Sequence, residues 1–436
     1  MAGSLRYGGA DGLYRRVRAE IAARQPHPLF APTPLPIADL ESPIAGSTTA
    51  ASTASADRPA FAISQPPSTL PRPKPETPIP QPATATSHGT VTVTVPTLAA
   101  SLRVPREAPR VTPQPPRAPP NIQLTGLTHM WQTWNNCGPA TLAMNLSYFG
   151  RKTGQADVAA SIRPNKEDKN VSPDELAAFA RAQGLRAIAR VNGDSDRLRQ
   201  LLAIGIPVLV ETWHEPKPND GMGHYRLLTG YDDAARVWIA YDSYDATGVD
   251  PKKAYAGIRI PYEDLDPLWT VFNRPYVVVY NDALAPQVKS ILGDDFDDET
   301  MWQRALSDAQ NTVKEDPAVA FAWFNLGSDL TALGRHEEAA KAYDKARQIG
   351  LPWRMFWYQF GPFQAYYQVG RYEEVVALAN ATLRTAKYVE ELYYWRGLAQ
   401  LAQAKTGEAR VSFQRALEMN RYYTPAAEAL AALPAP

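Results

Sequence analysis

"QTWNNCGPATLAMNLSYFG", residues 132–150, holds Cys137, the single cysteine of a 436-residue chain. It stands where a polar run turns into an apolar one. Pro139 suits the first position of a helix and Gly150 the position just past its end, so the spacing predicts a helix over 139–148. A buried free cysteine ordinarily serves as a small apolar side chain. Cys137 follows Asn135 and Asn136 and precedes Gly-Pro, which sets it at the helix N-terminus. Unpaired backbone N–H groups and the helix dipole stabilise a thiolate there, and the thiolate is the nucleophilic form. Gly138 leaves room for a substrate backbone to come close.

One cysteine excludes an intramolecular disulfide and thiolate-rich zinc sites. With 45 acidic and 45 basic side chains the chain is formally neutral, so no global field draws it to nucleic acid or to an anionic membrane. No window approaches the ~18 uninterrupted apolar residues of a membrane span. Neither histidine clustering nor a glycine-rich phosphate loop is present, and no metal or organic cofactor is expected.

The composition divides the chain. Residues 1–25 read as a short helical segment with the arginines of a signal n-region but no apolar stretch after them. From 26 to 120, where 23 of the 40 prolines fall among Ala, Ser and Thr, the chain is expected to be a disordered spacer. Such a spacer often joins an export or anchor segment to a domain, which leaves the compartment undetermined between cytoplasmic and extracytoplasmic.

Residues 121–282 read as globular and mixed. A second helix opens at "SPDELAAFARAQG", with Ser172 as cap, Pro173 in first position and Glu175 closing a capping box. Strands are expected at "IPVLVETW", "HYRLLTGY", "VWIAYDS", "GIRIPY" and "YVVVY". Helices come first and strands second, without long crossovers, which gives an α+β domain around an antiparallel sheet. From 298 to 436 the signal is helical and repetitive: Trp323, Leu326, Gly327, Ala339, Tyr343 and Ala346 return as Tyr393, Gly397, Ala409, Phe413 and Ala416. A middle copy carries Trp357, Phe360 and Gly361 before "GRYEEVVALA", stretched by two residues. These residues resemble the tetratricopeptide repeat, counted as about three repeats plus a leading half around Ala305, Ala309 and Pro317. The resemblance implies a concave surface for a peptide or protein partner.

A thiolate nucleophile needs a base, and the base an orienting group. Of six histidines, His27 and His88 lie in the spacer and His336 in a repeat loop. His129 is too near Cys137 in sequence to face it easily across a cleft, and His214, in "HEPKPNDGMG", reads as solvated. His224 opens "GHYRLLTGYDDAARVWIAYDSYD", a hairpin turning at "DDAAR". With residue 233 at its centre, His224 faces Asp242 directly; a register shifted by a residue or two favours Asp245. Gln132, five residues before the thiol, could donate its amide into an oxyanion hole beside the Cys137 N–H.

Taken together, "Q-x4-CGPATLAMNLSYFG", "GHYRLLTGYD" and "VWIAYDSYD" resemble the papain-like cysteine peptidases of the double-glycine, bacteriocin-leader-processing family and its broader bacterial relatives. The resemblance covers roughly residues 121–282 and implies Cys137 as nucleophile, His224 as general base, Asp242 as orienting carboxylate and Gln132 as oxyanion donor. Two features depart from it: there is no transporter in this chain, and Ser243 follows the aspartate where the family often has proline. The expected function is peptide-bond hydrolysis, with the repeats recruiting a substrate or partner protein. The alternatives are an inactive papain-like scaffold carrying working repeats, or a thiol acyl or amide transferase.

Overall fold

The computed structural model describes residues 118–215 and 220–434; the N-terminal helical segment and nearly all of the expected spacer lie outside them. The first body is a seven-stranded antiparallel sheet. Its strands are β1 (Asn121–Gln123), β2 (Arg186–Arg190), β3 (Val208–His214), β4 (Met222–Asp232), β5 (Val237–Asp242), β6 (Ile258–Pro261) and β7 (Tyr276–Tyr280). They run in the order β2-β7-β3-β4-β5-β6, and β1 pairs with the far end of β4.

Both faces are covered. The helices α1 (Cys137–Tyr148), α2 (Gln155–Ile162) and α3 (Pro173–Ala182) lie on one face, packing Leu142, Leu146, Val158 and Leu176 against Leu209, Leu227 and Val279. On the other face α4 (Ser195–Ala203), α5 (Tyr262–Thr270) and α6 (Ala285–Leu292) pack Leu198, Trp269 and Val288 against Val208, Leu228 and Val278. Alternate residues of one strand thus feed two cores, which is why "YVVVY" is apolar throughout and every one of its residues is buried.

Helix α1 begins at Cys137, two residues earlier than the proline position predicts. The reason is general: the first turn of a helix has no intrahelical partners for its N–H groups, so Pro139 loses no hydrogen bond in its third position. At its other end Gly150 adopts φ +70°, the left-handed turn that only glycine takes without strain. Helix α3 starts as expected, with Ser172 accepting from the Glu175 N–H and Glu175 accepting from the Ser172 N–H. Strands β1 and β2 and helices α2, α4, α5 and α6 are additions to the expected set.

A helical array follows: α7 (Asp298–Glu315), α8 (Ala320–Ala332), α9 (His336–Ile349), α10 (Gly361–Gln368), α11 (Tyr372–Leu383), α12 (Glu390–Ala402), α13 (Thr406–Met419) and α14 (Thr424–Ala431). In the outer two pairs a glycine of the first helix meets an aromatic ring of the second. A Cβ on Gly327 would stand 2.7 Å from the Tyr343 ring, and one on Gly397 2.5 Å from that of Phe413. Trp323 and Tyr393 occupy matching positions and donate to the carbonyls of Pro317 and Lys387, each six residues upstream. The middle unit is irregular: α10 has 8 residues where α8 and α12 have 13, and a 3-10 turn, Met355–Trp357, takes up the remaining chain.

Filling the Gly397 gap should be destabilising although alanine is the better helix former. Gly397→Ala is expected to lower stability by about 1–3 kcal/mol in a thermal or urea melt. Adding Phe413→Leu, which gives the new methyl room, should recover part of the loss.

Candidate active site

Asp242 ends β5 with no solvent exposure. A buried carboxylate stays ionised only if it is densely partnered. Here Oδ1 accepts from His224 Nε2 at 2.9 Å and from the N–H groups of Tyr244 and Asp245 at 2.8 Å each. Arg226 Nε stands 3.0 Å from Oδ2, angled as an ion pair and not as a hydrogen bond. Burial alone raises the carboxyl pKa, but His224 and Arg226 reverse this and hold Asp242 far below the usual carboxylate range.

The hairpin register differs from the expected one. Asp242 pairs with Arg226, and His224 lies one cross-strand step further along the same face, diagonal to Asp242. Two local features shift it: an exposed turn at 233–236, with Arg236 at φ +54°, and a bulge at Thr229 between the Leu228–Ala240 and Gly230–Ile239 pairs. Asp245, the alternative partner, instead accepts from the N–H and hydroxyl of Thr247 in the turn that follows.

His224 is buried and also hydrogen-bonds the Cys137 thiol. Its Nε2 is engaged by Asp242, so Nδ1 is the nitrogen left for sulfur. Burial lowers the imidazole pKa, yet the charge and hydrogen bond of Asp242, aided by the thiol, raise it to about 9. For Cys137 burial pushes upward; the hydrogen bond and charge of His224, with the N–H groups of Tyr225 and Gly138, bring the thiol below its ordinary 9.0. The two groups therefore favour a thiolate–imidazolium pair.

The chain before Cys137 is fixed on several sides. Gln155, from α2, accepts from the Thr133 N–H at 2.8 Å and donates to the Trp131 carbonyl at 2.9 Å. Asn135 takes φ +57°, a conformation asparagine tolerates, and Asn136 is held by the guanidinium of Arg163. Gln132 is tied to the segment beyond Asp242: its N–H donates to the Ser243 carbonyl at 2.8 Å, and Ser243 Oγ donates to Gln132 Oε1 at 2.9 Å. The amide oxygen is thereby occupied and the amide Nε2 left as the donor. His129 stacks on Tyr255, and its Nε2 lies 2.8 Å from the Asp242 carbonyl.

Sequence reasoning missed several neighbours of this group. Arg226 looks like any strand cation until the register sets it opposite Asp242. His214 is not solvated: it is half-buried, its ring centroid is 5.4 Å from that of His224, and burial with the charges of His224 and Arg226 lowers its pKa to about 3. Glu211, buried on β3, is pushed up to about 8 by burial and by the charge of Cys137. Tyr358 reaches the site from the irregular middle repeat, its ring against Gly223. The exposed side chains Trp131, Trp134 and Tyr244 flank the group. Among the described residues no helix is long and apolar enough to cross a membrane.

Residues 118–265 match the family model of the Peptidase_C39 like family. Residues 320–350 and 390–423 match tetratricopeptide repeat models, leaving the irregular unit between them. The chain thus carries a papain-like, C39-type domain followed by a tetratricopeptide-repeat region. Among solved structures it is similar to a C39-like peptidase from Bacillus anthracis, at 15% identity over 37% of this chain and 98% of that one, with a TM-score of 0.28. It is similar also to xylellain, a cysteine protease from Xylella fastidiosa, at 15% identity over 38% of this chain and 87% of that one, with a TM-score of 0.27. No curated protein matches.

The ion pair fixes a pH window. It forms as pH passes the lowered thiol pKa and is lost as His224 deprotonates near pH 9. Since the folded imidazole pKa lies above 6.5, its stabilisation is complete below that value and disappears as pH rises through about 9. Haloacetamide alkylation, which reads the sole cysteine, should begin below the ordinary thiol range. His224→Ala leaves burial as the dominant effect and should move the onset upward; an unmoved onset would remove the pair.

Proposed function

We propose that this protein is a cysteine peptidase in which Cys137, His224 and Asp242 act as nucleophile, general acid–base and orienting carboxylate, and Gln132 donates to the oxyanion. The observation that carries this reading is the continuous hydrogen-bonded chain from the Cys137 sulfur through His224 to a fully buried, ionised Asp242. A structural cysteine has no need of such a chain.

The steps follow from the charges. The thiolate attacks a peptide carbonyl, and negative charge moves to the carbonyl oxygen. The Cys137 N–H, an unpaired donor at the start of α1, and the Gln132 amide are the groups available to receive it. As the tetrahedral adduct collapses, His224 gives its Nδ1 proton to the leaving amine and the C–N bond breaks. The neutral imidazole then takes a proton from water, hydroxide attacks the thioester, and the C–S bond breaks, releasing the acid product and restoring the Cys137 thiolate. Asp242 holds the ring by Nε2 throughout and stays ionised, because Arg226 supplies the second positive charge. The repeats recruit a substrate or partner protein on their concave face. The neighbouring large aromatic surfaces suit a peptide chain better than a small amine donor.

A peptide library read by mass spectrometry tests this. Cys137→Ala should abolish cleavage. Gln132→Ala is expected to lower kcat by about 10²–10³ while leaving alkylation of Cys137 intact, since its role arises only with the oxyanion. Products carrying an added amine in place of water would assign the site to transfer, and library-wide inertness of an alkylation-competent protein would assign it to a scaffold.

A further inference from the structure

Strand β4 carries the general base near its leading end, where the sheet is thinnest. Met222, Gly223 and His224 pair with His214, Trp213 and Thr212 of β3, but β5 stops at Asp242, opposite Arg226. On the β5 side the ladder thus ends before the base is reached. A strand end paired on one side only has the freedom of a two-stranded ribbon.

The irregular middle repeat fills this deficiency. Arg354 forms an ion pair with the Asp220 carboxylate at 2.5 Å, and its Nη1 donates to the carbonyls of Asp220 at 3.0 Å and Gly221 at 3.2 Å. Four residues on, the Tyr358 ring lies on Gly223; a Cβ there would stand 3.3 Å from two ring carbons, so glycine is what allows the approach. Trp213, the cross-strand partner of Gly223, belongs to the same apolar cluster as Phe356 and Phe363 of the array. The grip depends on the irregularity. Met355 and Phe356 are buried in the array and anchor the 3-10 turn, so that Arg354 and Tyr358 on either side of it are turned toward the peptidase body. Lys169 lies between Trp134, three residues before the thiol, and Trp357, at 5.1 and 5.5 Å from their ring centroids.

We propose that the middle repeat is part of the active site's framework: Arg354 and Tyr358 are positioning residues that hold residues 220–223 and thereby keep His224 in line with Cys137. This rests on the reading of Cys137 and His224 as the working pair. It assigns the repeats a role beyond recruitment, since whatever binds or bends the array acts on the base. The 3-10 turn that interrupts the repeat pattern is the device that makes the contact.

Alkylation of Cys137 against pH in the full-length protein tests the proposal without requiring a substrate. Arg354→Ala and Asp220→Asn break the same ion pair from opposite sides, and each should move the onset of reactivity upward by about one pH unit, as partial loss of the imidazolium demands. Arg354→Lys should fall between them and the natural protein, and Tyr358→Ala, which removes both the ring against Gly223 and the hydroxyl that bonds its backbone, should move the onset upward as well. On a short fluorogenic peptide, too small to need recruitment, kcat should drop about tenfold to a hundredfold with little change in KM. The proposal is overturned if Arg354→Ala and Asp220→Asn keep the natural alkylation profile while melting normally. A His224-dependent profile in a protein that cleaves nothing would refute the peptidase reading alone, and the bracing would still be decided by the variants.

Discussion

The structure is arranged around keeping one carboxylate charged in a place without water. Asp242 has its backbone partners, its guanidinium and its imidazole, delivered by separate segments of the fold. The following turn supplies two N–H groups, the neighbouring strand supplies Arg226 and His224, and the segment before the thiol supplies His129 to its carbonyl oxygen. Isolated, an ion of this kind would take up a proton; fully partnered, it compels the imidazole beside it to remain protonated. The thiolate is a second-order effect of that charge, relayed through a ring that touches both.

What could be read from the sequence follows the strength of local signals. The capping box at Ser172 and the apolar run "YVVVY" involve neighbours within a few residues, and the structure forms both. Helix α5 was hidden by Pro267 in its interior, and β2 by the arginines at both its ends, which leave the sheet edge to meet Asp282 and Asp298. Helix α2 is short, with three alanines and only Val158 and Ile162 buried, too little to mark a face. Local rules also gave the type of the Cys137 helix correctly and its first residue wrongly, because a proline within the first turn does not say which position it occupies.

The candidate site divides along the same line. Cys137, His224, Asp242 and Gln132 stand out by motif. Arg226, His214 and Glu211 acquire meaning only through strand pairing, and Ser243 only through its bond to Gln132. Tyr358 is farther from reach still, since 135 positions separate it from Gly223 and the two meet through packing of the array against the sheet. A departure from a repeat pattern was the sole sign in the sequence that something other than repetition was needed there.

The bulge at Thr229 has a consequence of parity. Counting outward from the Asp232–Val237 pair, a regular ladder would set Asp242 opposite Leu227, on the face that packs against α1 and away from His224. The one unpaired residue turns the count from odd to even and brings the carboxylate round to its partner. Exposed turns usually tolerate gain or loss of residues freely, but this one is bound to the bulge behind it. A single-residue change that propagates through the ladder is a change of face, whereas a change of two is only a displacement. Divergence in this hairpin should therefore proceed by even steps, or by odd steps absorbed before the strand reaches Asp242.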